Sequence, residues 1–259
     1  MKKILFILCI TAVISCKKEN NITTSNCKLS RIISVTGSKS DTTDITYFTD
    51  SFWVVTKNSN GNIYKYSYVK SGNQYTYKYY ANNIYTLSGT MFLTASGYID
   101  STSRINVATS LQNYSYKAFY DAEGHAIKTR DLYIGGTTYS NRSDYEFQNG
   151  NVSKENYSFY NFTTATLSNN DSVVCEYTDK PNLCPFEYAD QFLYGKTAKN
   201  LLQTKSYYSR LNSNTLRLRK TYAYTFNSDG YVTQMVYTRS DLVLSTSSTT
   251  TYTFSYLCE

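Results

Sequence analysis

The sequence has one histidine, one tryptophan and two prolines among its 259 residues. A lone histidine cannot furnish a multi-histidine metal site, and so few prolines exclude a proline-rich disordered chain. No apolar stretch of ~20 residues occurs, which excludes a polytopic helical membrane protein; a collagen period and a heptad run are equally absent. Charge is scarce too, at 17% of residues against ~25% in ordinary globular domains. Tyrosine fills the gap, with 29 residues beside 12 phenylalanines. Length allows one β-domain or two smaller units, since all-β chains reach ~200–250 residues as one domain.

The first twenty residues give an address. Met1-Lys2-Lys3 precede an apolar run from Ile4 to Ile14, then Ser15 and Cys16. A basic start, a short apolar core and a small residue before the cut describe a secretory signal, and the run is too short to span a bilayer. Val13-Ile14-Ser15-Cys16 resembles the lipobox of bacterial lipoproteins, in which the cysteine thiol is lipidated and becomes the first mature residue. Residues 1–15 are therefore expected to be a lipoprotein signal peptide and 16–26 the lipidated cysteine with its flexible tether. Residues 27–259 are expected to form a single β-domain. Acyl burial contributes ~0.8 kcal/mol per CH₂, so more than one chain on Cys16 makes a stable membrane anchor.

Losing Lys2 and Lys3 with the signal lowers the formal charge from +7 to +5, an ordinary value for solubility. Leu216 to Lys220 (LRLRK) is the one basic cluster away from the anchor; Arg217 and Arg219 are expected on one solvated strand face. An exported protein with scattered charge has no nucleic-acid partner to expect.

From Ser51 onward aromatic and polar residues alternate. Tyr64, Tyr66 and Tyr68 share one strand face while Lys65 and Ser67 share the other. Tyr75, Tyr77 and Tyr79 repeat the pattern, as do Tyr222, Tyr224 and Phe226, and Tyr252, Phe254 and Tyr256. Period-two alternation rich in Tyr and Thr marks half-buried antiparallel strands with one covered face and one wet face. Turn signals punctuate them at Gly61, Gly124, Gly150 and Gly230, with a weaker copy at Gly97. Each is a turn pair ending in glycine, which supplies the positive φ that tight hairpin loops require. Successive glycines lie 36, 27, 26 and 80 residues apart, so the last gap has room for three such units. The expected fold is all-β: a large, twisted, repetitive antiparallel meander of consecutive hairpins, open or partly rolled. One segment, residues 175–202, breaks the rhythm and holds both prolines; it is expected to be an irregular insertion crossing an end or edge of the sheet, with one short helical turn over Glu187 to Tyr194.

Within that segment stand Asp179-Lys180-Pro181-Asn182-Leu183-Cys184-Pro185-Phe186, then Gly195-Lys196 and Asn200-Leu201-Leu202, and a closing hairpin YTFNSDGYV follows. Here the chain resembles secreted lipoproteins of unknown function in Bacteroidota, which carry tyrosine-rich repeats with D-G turns and a D-K-P-N-P-F loop. Leu183-Cys184 is an insertion relative to that loop. The resemblance implies a large twisted antiparallel sheet at the outer membrane, and no activity.

Motifs for catalysis are missing: no nucleophile elbow, zincin helix, P-loop or dinucleotide fingerprint is present. His125 follows Glu123-Gly124 at an expected hairpin tip, where exposure to solvent is the plain expectation. Asp144 and Glu146 share a strand face at ~7 Å, a distance at which glycosidase carboxylates work, but such spacing arises by chance on many strands. Asn169-Asn170-Asp171 lacks the ligand density of calcium loops and reads as a polar turn. Neither cofactor nor metal is expected. The aromatic face is better evidence: Tyr rings in strands serve as core or cross-strand packing, and exposed rings stack on sugars or on protein partners. The chain thus reads as a non-enzymatic, lipid-anchored envelope protein that binds or scaffolds, with a glycan or an envelope protein as ligand. A carbohydrate-active hydrolase is the alternative.

Of six cysteines, Cys9 leaves with the signal and Cys16 is lipidated, leaving Cys27, Cys175, Cys184 and Cys258. An even number in an oxidising compartment favours disulfides. Cys175 and Cys184 enclose one irregular loop and are expected to pair, which leaves Cys27 and Cys258 to tie the terminal strands together.

Overall fold

The computed structural model describes residues 27–133, 139–161, 166–183, 195–210 and 214–258. Cys16, the signal and the tether lie outside the described residues, as do Cys184 and the segment from Glu187 to Tyr194. Sixteen strands follow in chain order: β1 (Cys27–Thr36), β2 (Lys39–Tyr47), β3 (Ser51–Lys57), β4 (Ile63–Ser71), β5 (Gln74–Ala81), β6 (Ile84–Leu93), β7 (Ile99–Asn106) and β8 (Leu111–Tyr120) make the first half. The second half is β9 (Ala126–Tyr133), β10 (Tyr139–Gln148), β11 (Asn151–Asn161), β12 (Thr166–Pro181), β13 (Asn200–Ser209), β14 (Thr215–Phe226), β15 (Val232–Asp241) and β16 (Thr246–Cys258).

Every strand pairs antiparallel with its sequence neighbours, and β1 pairs with β16, so the meander is a closed barrel rather than an open or partly rolled sheet. The register shifts explain the closure. On β1, β7, β9, β11, β13 and β15 one extra residue (Ser30, Asp100, Ile127, Ser153, Gln203 and Thr233 in turn) is inserted just after the strand begins. A bulge bends its strand and increases the local twist, which is how sheets are curved into barrels. Odd-numbered strands all begin at the same end, so these bends recur around one rim.

Tyrosines lock several of these bulges. Tyr47 donates its hydroxyl to the carbonyl of Leu29 at 3.0 Å, Tyr120 to Ile99 at 2.6 Å, Tyr224 to Leu202 at 2.6 Å and Tyr256 to Val232 at 2.7 Å. In each case the acceptor immediately precedes the extra residue. The displaced carbonyl and the half-buried phenol satisfy one another, as buried polar groups must.

The loops sort into two kinds where the sequence showed one outline. Around Gly61, Gly97, Gly124 and Gly230, the glycine N–H donates to the carbonyl three residues earlier, and φ is +82°, +82°, +92° and +85°. The side chain at that earlier position, Asn58, Thr94, Asp121 or Asn227, accepts from backbone N–H groups of its own loop. Gly150 belongs instead to a two-residue Asn149-Gly150 turn with both φ positive, the arrangement that matches strand twist in tight hairpins.

Cys27 stands opposite Cys258 across the β1–β16 seam and the two form a disulfide, as expected of the terminal pair. Cys175 lies half-buried on β12, and its expected partner Cys184 falls outside the described residues. The irregular insertion is shorter than 175–202: β12 continues to Pro181, whose register partner is Asn200 at the start of β13. Proline is tolerated there because the ladder is already irregular between Tyr177 and Pro181.

Candidate functional site

Following the register around the barrel assigns every strand an inner and an outer face. Phe52, Tyr68, Tyr77, Met91, Ala118, Val173, Leu218, Met235 and Phe254 are all buried and all fall on the inner one. Their neighbours at even spacing complete an inner wall of Tyr47, Tyr64, Tyr66, Tyr75, Tyr79, Tyr116, Tyr222, Tyr224, Tyr237, Tyr252 and Tyr256. The outer wall carries Thr42, Lys65, Ser67, Thr76, Lys78, Ser88, Ser101, Ser103, Lys117, Arg142, Lys154, Arg219, Thr221, Thr251 and Thr253, with apolar side chains such as Val35, Trp53 and Phe119 scattered among them. The period-two reading of the tyrosine runs therefore holds.

Sixteen strands spaced ~4.8 Å apart and tilted ~40° make a circular wall about 30 Å across. Two packed sheet faces fill a gap of only ~10 Å. Tyr64, Tyr66, Tyr79, Tyr222, Tyr237 and Tyr252 accordingly remain partly exposed although they face inward. Apolar packing is continuous around two arcs: Leu29, Ile45, Leu201, Val232, Met235 and Phe254 form one cluster, and Phe52, Tyr68, Tyr77, Met91 and Ile99 the other. In the second arc Phe52 stacks on Tyr68 at 4.3 Å and Tyr66 meets Tyr79 at 4.6 Å. Gly89 makes room: a Cβ there would come within 2.5 Å of the Tyr77 ring.

The inner face of β10 to β13 is charged and polar. Glu155 accepts from the Ser143 hydroxyl at 3.0 Å and from Lys205 Nζ at 3.0 Å. Burial disfavours the charge on Lys205, but Glu155 together with Tyr207 and Cys175 outweighs it and raises the ammonium pKa. Tyr145, also facing in, has its phenol pKa raised, first by burial and then by Glu155. Asp171, only 5% exposed, is clasped by the Arg217 guanidinium through Nε at 2.9 Å and through Nη2. The stretch Asn169-Asn170-Asp171 is thus part of β12 and not a turn. Arg217 is the extra residue at the β13–β14 register shift and turns to Asp171, while Arg219 sits on the outer wall opposite Ser206 and Ser240; they do not act as one solvated face.

Asp144 and Glu146 lie on the outer wall, away from the lumen. Asp144 bonds Arg130 at 3.0 Å and Arg142 at 2.6 Å, and Glu146 is 57% exposed beside Lys154. Burial would raise the Asp144 pKa, but the two guanidinium groups hold it below the usual carboxylate range. Both Asp144 oxygens are thus taken up by guanidinium groups, and neither carboxylate of the pair lines the lumen. Among the described residues no group of three His, Cys, Asp or Glu side chains is placed to hold a metal ion.

His125 departs from expectation. It is 6% exposed, with Nδ1 3.1 Å from Asp121 Oδ2 and its ring 4.6 Å from Phe147. The reason is the segment after the insertion, which lies over this end of the barrel. Lys196 N–H donates to Gly124 O at 2.8 Å, Lys199 N–H to Gly150 O at 2.9 Å, and Asn182 N–H to Lys199 O at 2.9 Å. Gly195, at φ +104°, fits because a Cβ would approach the Tyr120 ring to 2.7 Å. A cavity of about 550 Å³ remains between this segment and Tyr98, Glu123 and His125. The end that carries Cys27 and Cys258 is thus partly covered.

No protein-family model matches the chain, and no curated protein does. Among solved structures it is similar to a porin-like protein from Bacteroides uniformis ATCC 8492, at 12% identity with a TM-score of 0.54, covering 88% of this chain and 96% of that one. A porin-like protein from Bacteroides vulgatus ATCC 8482 matches at 10% identity with a TM-score of 0.56, covering 89% of this chain and 99% of that one. At such identity the likeness is one of fold.

Proposed function

We propose that this is a non-enzymatic, lipid-tethered barrel of the outer membrane whose wall is bathed in water and whose lumen binds a ligand with an apolar body. The observation that carries this reading is the polarity of the wall. A barrel that crosses a bilayer presents an apolar band ~25 Å tall to lipid, and a Lys or Arg at its midplane costs ~2–4 kcal/mol. Here Lys65, Lys78, Lys117, Arg142, Lys154 and Arg219 point outward from strand after strand, and the alternating tyrosine runs point in. The lipobox-like sequence at Cys16 then supplies the membrane attachment that the wall does not. Because Cys27 sits at the covered end, a tether over residues 16–26 holds that end toward the lipid and leaves the other mouth facing away.

The test uses the full chain with Cys16→Ser. Expected is a protein that stays monodisperse in buffer without detergent and partitions into the aqueous phase of a detergent phase separation. Recovery of that variant in the detergent phase or in membranes would overturn the water-exposed wall.

A further inference from the structure

The inner wall carries one row of cations that the fold does not explain. Register places Lys205 of β13 directly opposite Lys220 of β14, and Lys220 directly opposite Arg239 of β15. Like charges facing each other across strands are destabilising. Two of the three have carboxylates: Lys205 has Glu155 at 3.0 Å, and Arg239 has Asp241 at 3.9 Å. Lys220, in the middle, has none within ion-pair reach among the described residues. Its ammonium instead lies 5.0 Å from the Tyr207 ring centre and 6.0 Å from that of Tyr237. Two ring faces supply part of a cation's shell and leave the remainder open to the lumen.

Along the same inner face, β14 continues from Lys220 to Tyr222, Tyr224 and Phe226, flanked by Met235 and Val232 on β15. Six residues of strand span about 20 Å. The charge row lies at mid-height of these strands, and the aromatic track runs from it to the covered end.

We infer that Lys220, between Tyr207 and Tyr237, is an anion site for the head group of an amphipathic ligand, a long-chain carboxylate whose apolar body lies along Tyr222, Tyr224 and Phe226. This inference rests on the lumen being the binding site. Tyr207 and Tyr237 position the ammonium, and Glu155 and Asp241 neutralise its two flanking cations, so the row keeps one net positive charge for the ligand.

The experiment titrates the soluble Cys16→Ser chain with a fluorescent long-chain polyene carboxylate and with its methyl ester, which has the same body and no charge. A charge-assisted contact of this kind gives a preference of about tenfold or more for the acid. Lys220→Met is expected to abolish that preference while ester binding is unchanged, Lys220→Arg to retain it, and Lys65→Met on the outer wall to leave both affinities alone. Equal binding of acid and ester by the parent chain, or a preference that survives Lys220→Met, would overturn the anion site and leave the lumen reading standing. Failure to bind either probe would overturn both.

Discussion

Two sectors of the inner wall obey the same alternation and are held together differently. Along β3 to β5 the inward residues include Phe52, Val54 and six tyrosines, and neighbouring strands meet through stacked or tilted rings. Along β10 to β13 the inward residues include Ser143, Glu155, Asp171 and Lys205, and strands are joined by a hydroxyl contact and by ion pairs that reach across the strand between. Both sectors share the same backbone ladder and the same polar outer face. Closure therefore rests on the ladder and its bulges, which leaves the lumen chemistry free to vary from arc to arc. A barrel built this way can place a charged patch beside an aromatic one, as an amphipathic ligand requires.

The comparison breaks most visibly at Phe52. It is 3% exposed and touches Tyr68 and Tyr75, so Phe52→Ala is expected to cost about 3–5 kcal/mol. Urea midpoints of the soluble chain measure this, and a loss under about 1 kcal/mol would show that rings do not hold the aromatic sector. Glu155→Gln comes next, at about 1–3 kcal/mol, because it strands Lys205 on a largely buried face. Adding Lys205→Met to that variant is expected to recover part of the loss, and a double variant worse than the sum of both would contradict the pairing.

The smallest effect is on pH. With its folded-state pKa raised above the unfolded value of ~10, Tyr145 contributes stability that is full below pH ~10 and lost as pH rises through the folded value. Stability is expected to decline above pH ~10, and Tyr145→Phe to make that decline shallower. Chemical denaturation at a series of alkaline pH values distinguishes the two slopes.

Strand existence and facing were legible because alternation is local: three tyrosines at even spacing define a face without reference to anything else. Glycine positions were legible for the same reason, since Gly61, Gly150 and Gly230 do adopt positive φ. Closure was not, because it depends on single extra residues such as Ser30 and Gln203, which look like any other strand residue in the chain. The ion pairs of the lumen were also hidden. Glu155 and Lys205 lie 50 residues apart and meet only because β11 and β13 flank β12. His125 shows a third limit: a hairpin tip can be read from sequence, but the later segment that covers it cannot. The terminal disulfide was legible by elimination among the cysteines, and a bond joining the first and last strands of a meander already entails that the two edges meet.

That seam has a consequence for the chain as a path. An even number of antiparallel strands brings start and finish to the same rim, and the Cys27–Cys258 bond joins them there. The covalent outline is then a ring with no privileged first strand. Each two-residue turn at the opposite mouth, such as Asn82-Asn83 between β5 and β6, is topologically equivalent to the natural break. A circular permutant that joins residue 27 to residue 258 through a short linker and opens at Asn82-Asn83 would keep every rung of the ladder. Its termini would emerge at the other mouth, so a lipid placed on the new amino end would hang the vessel upside down.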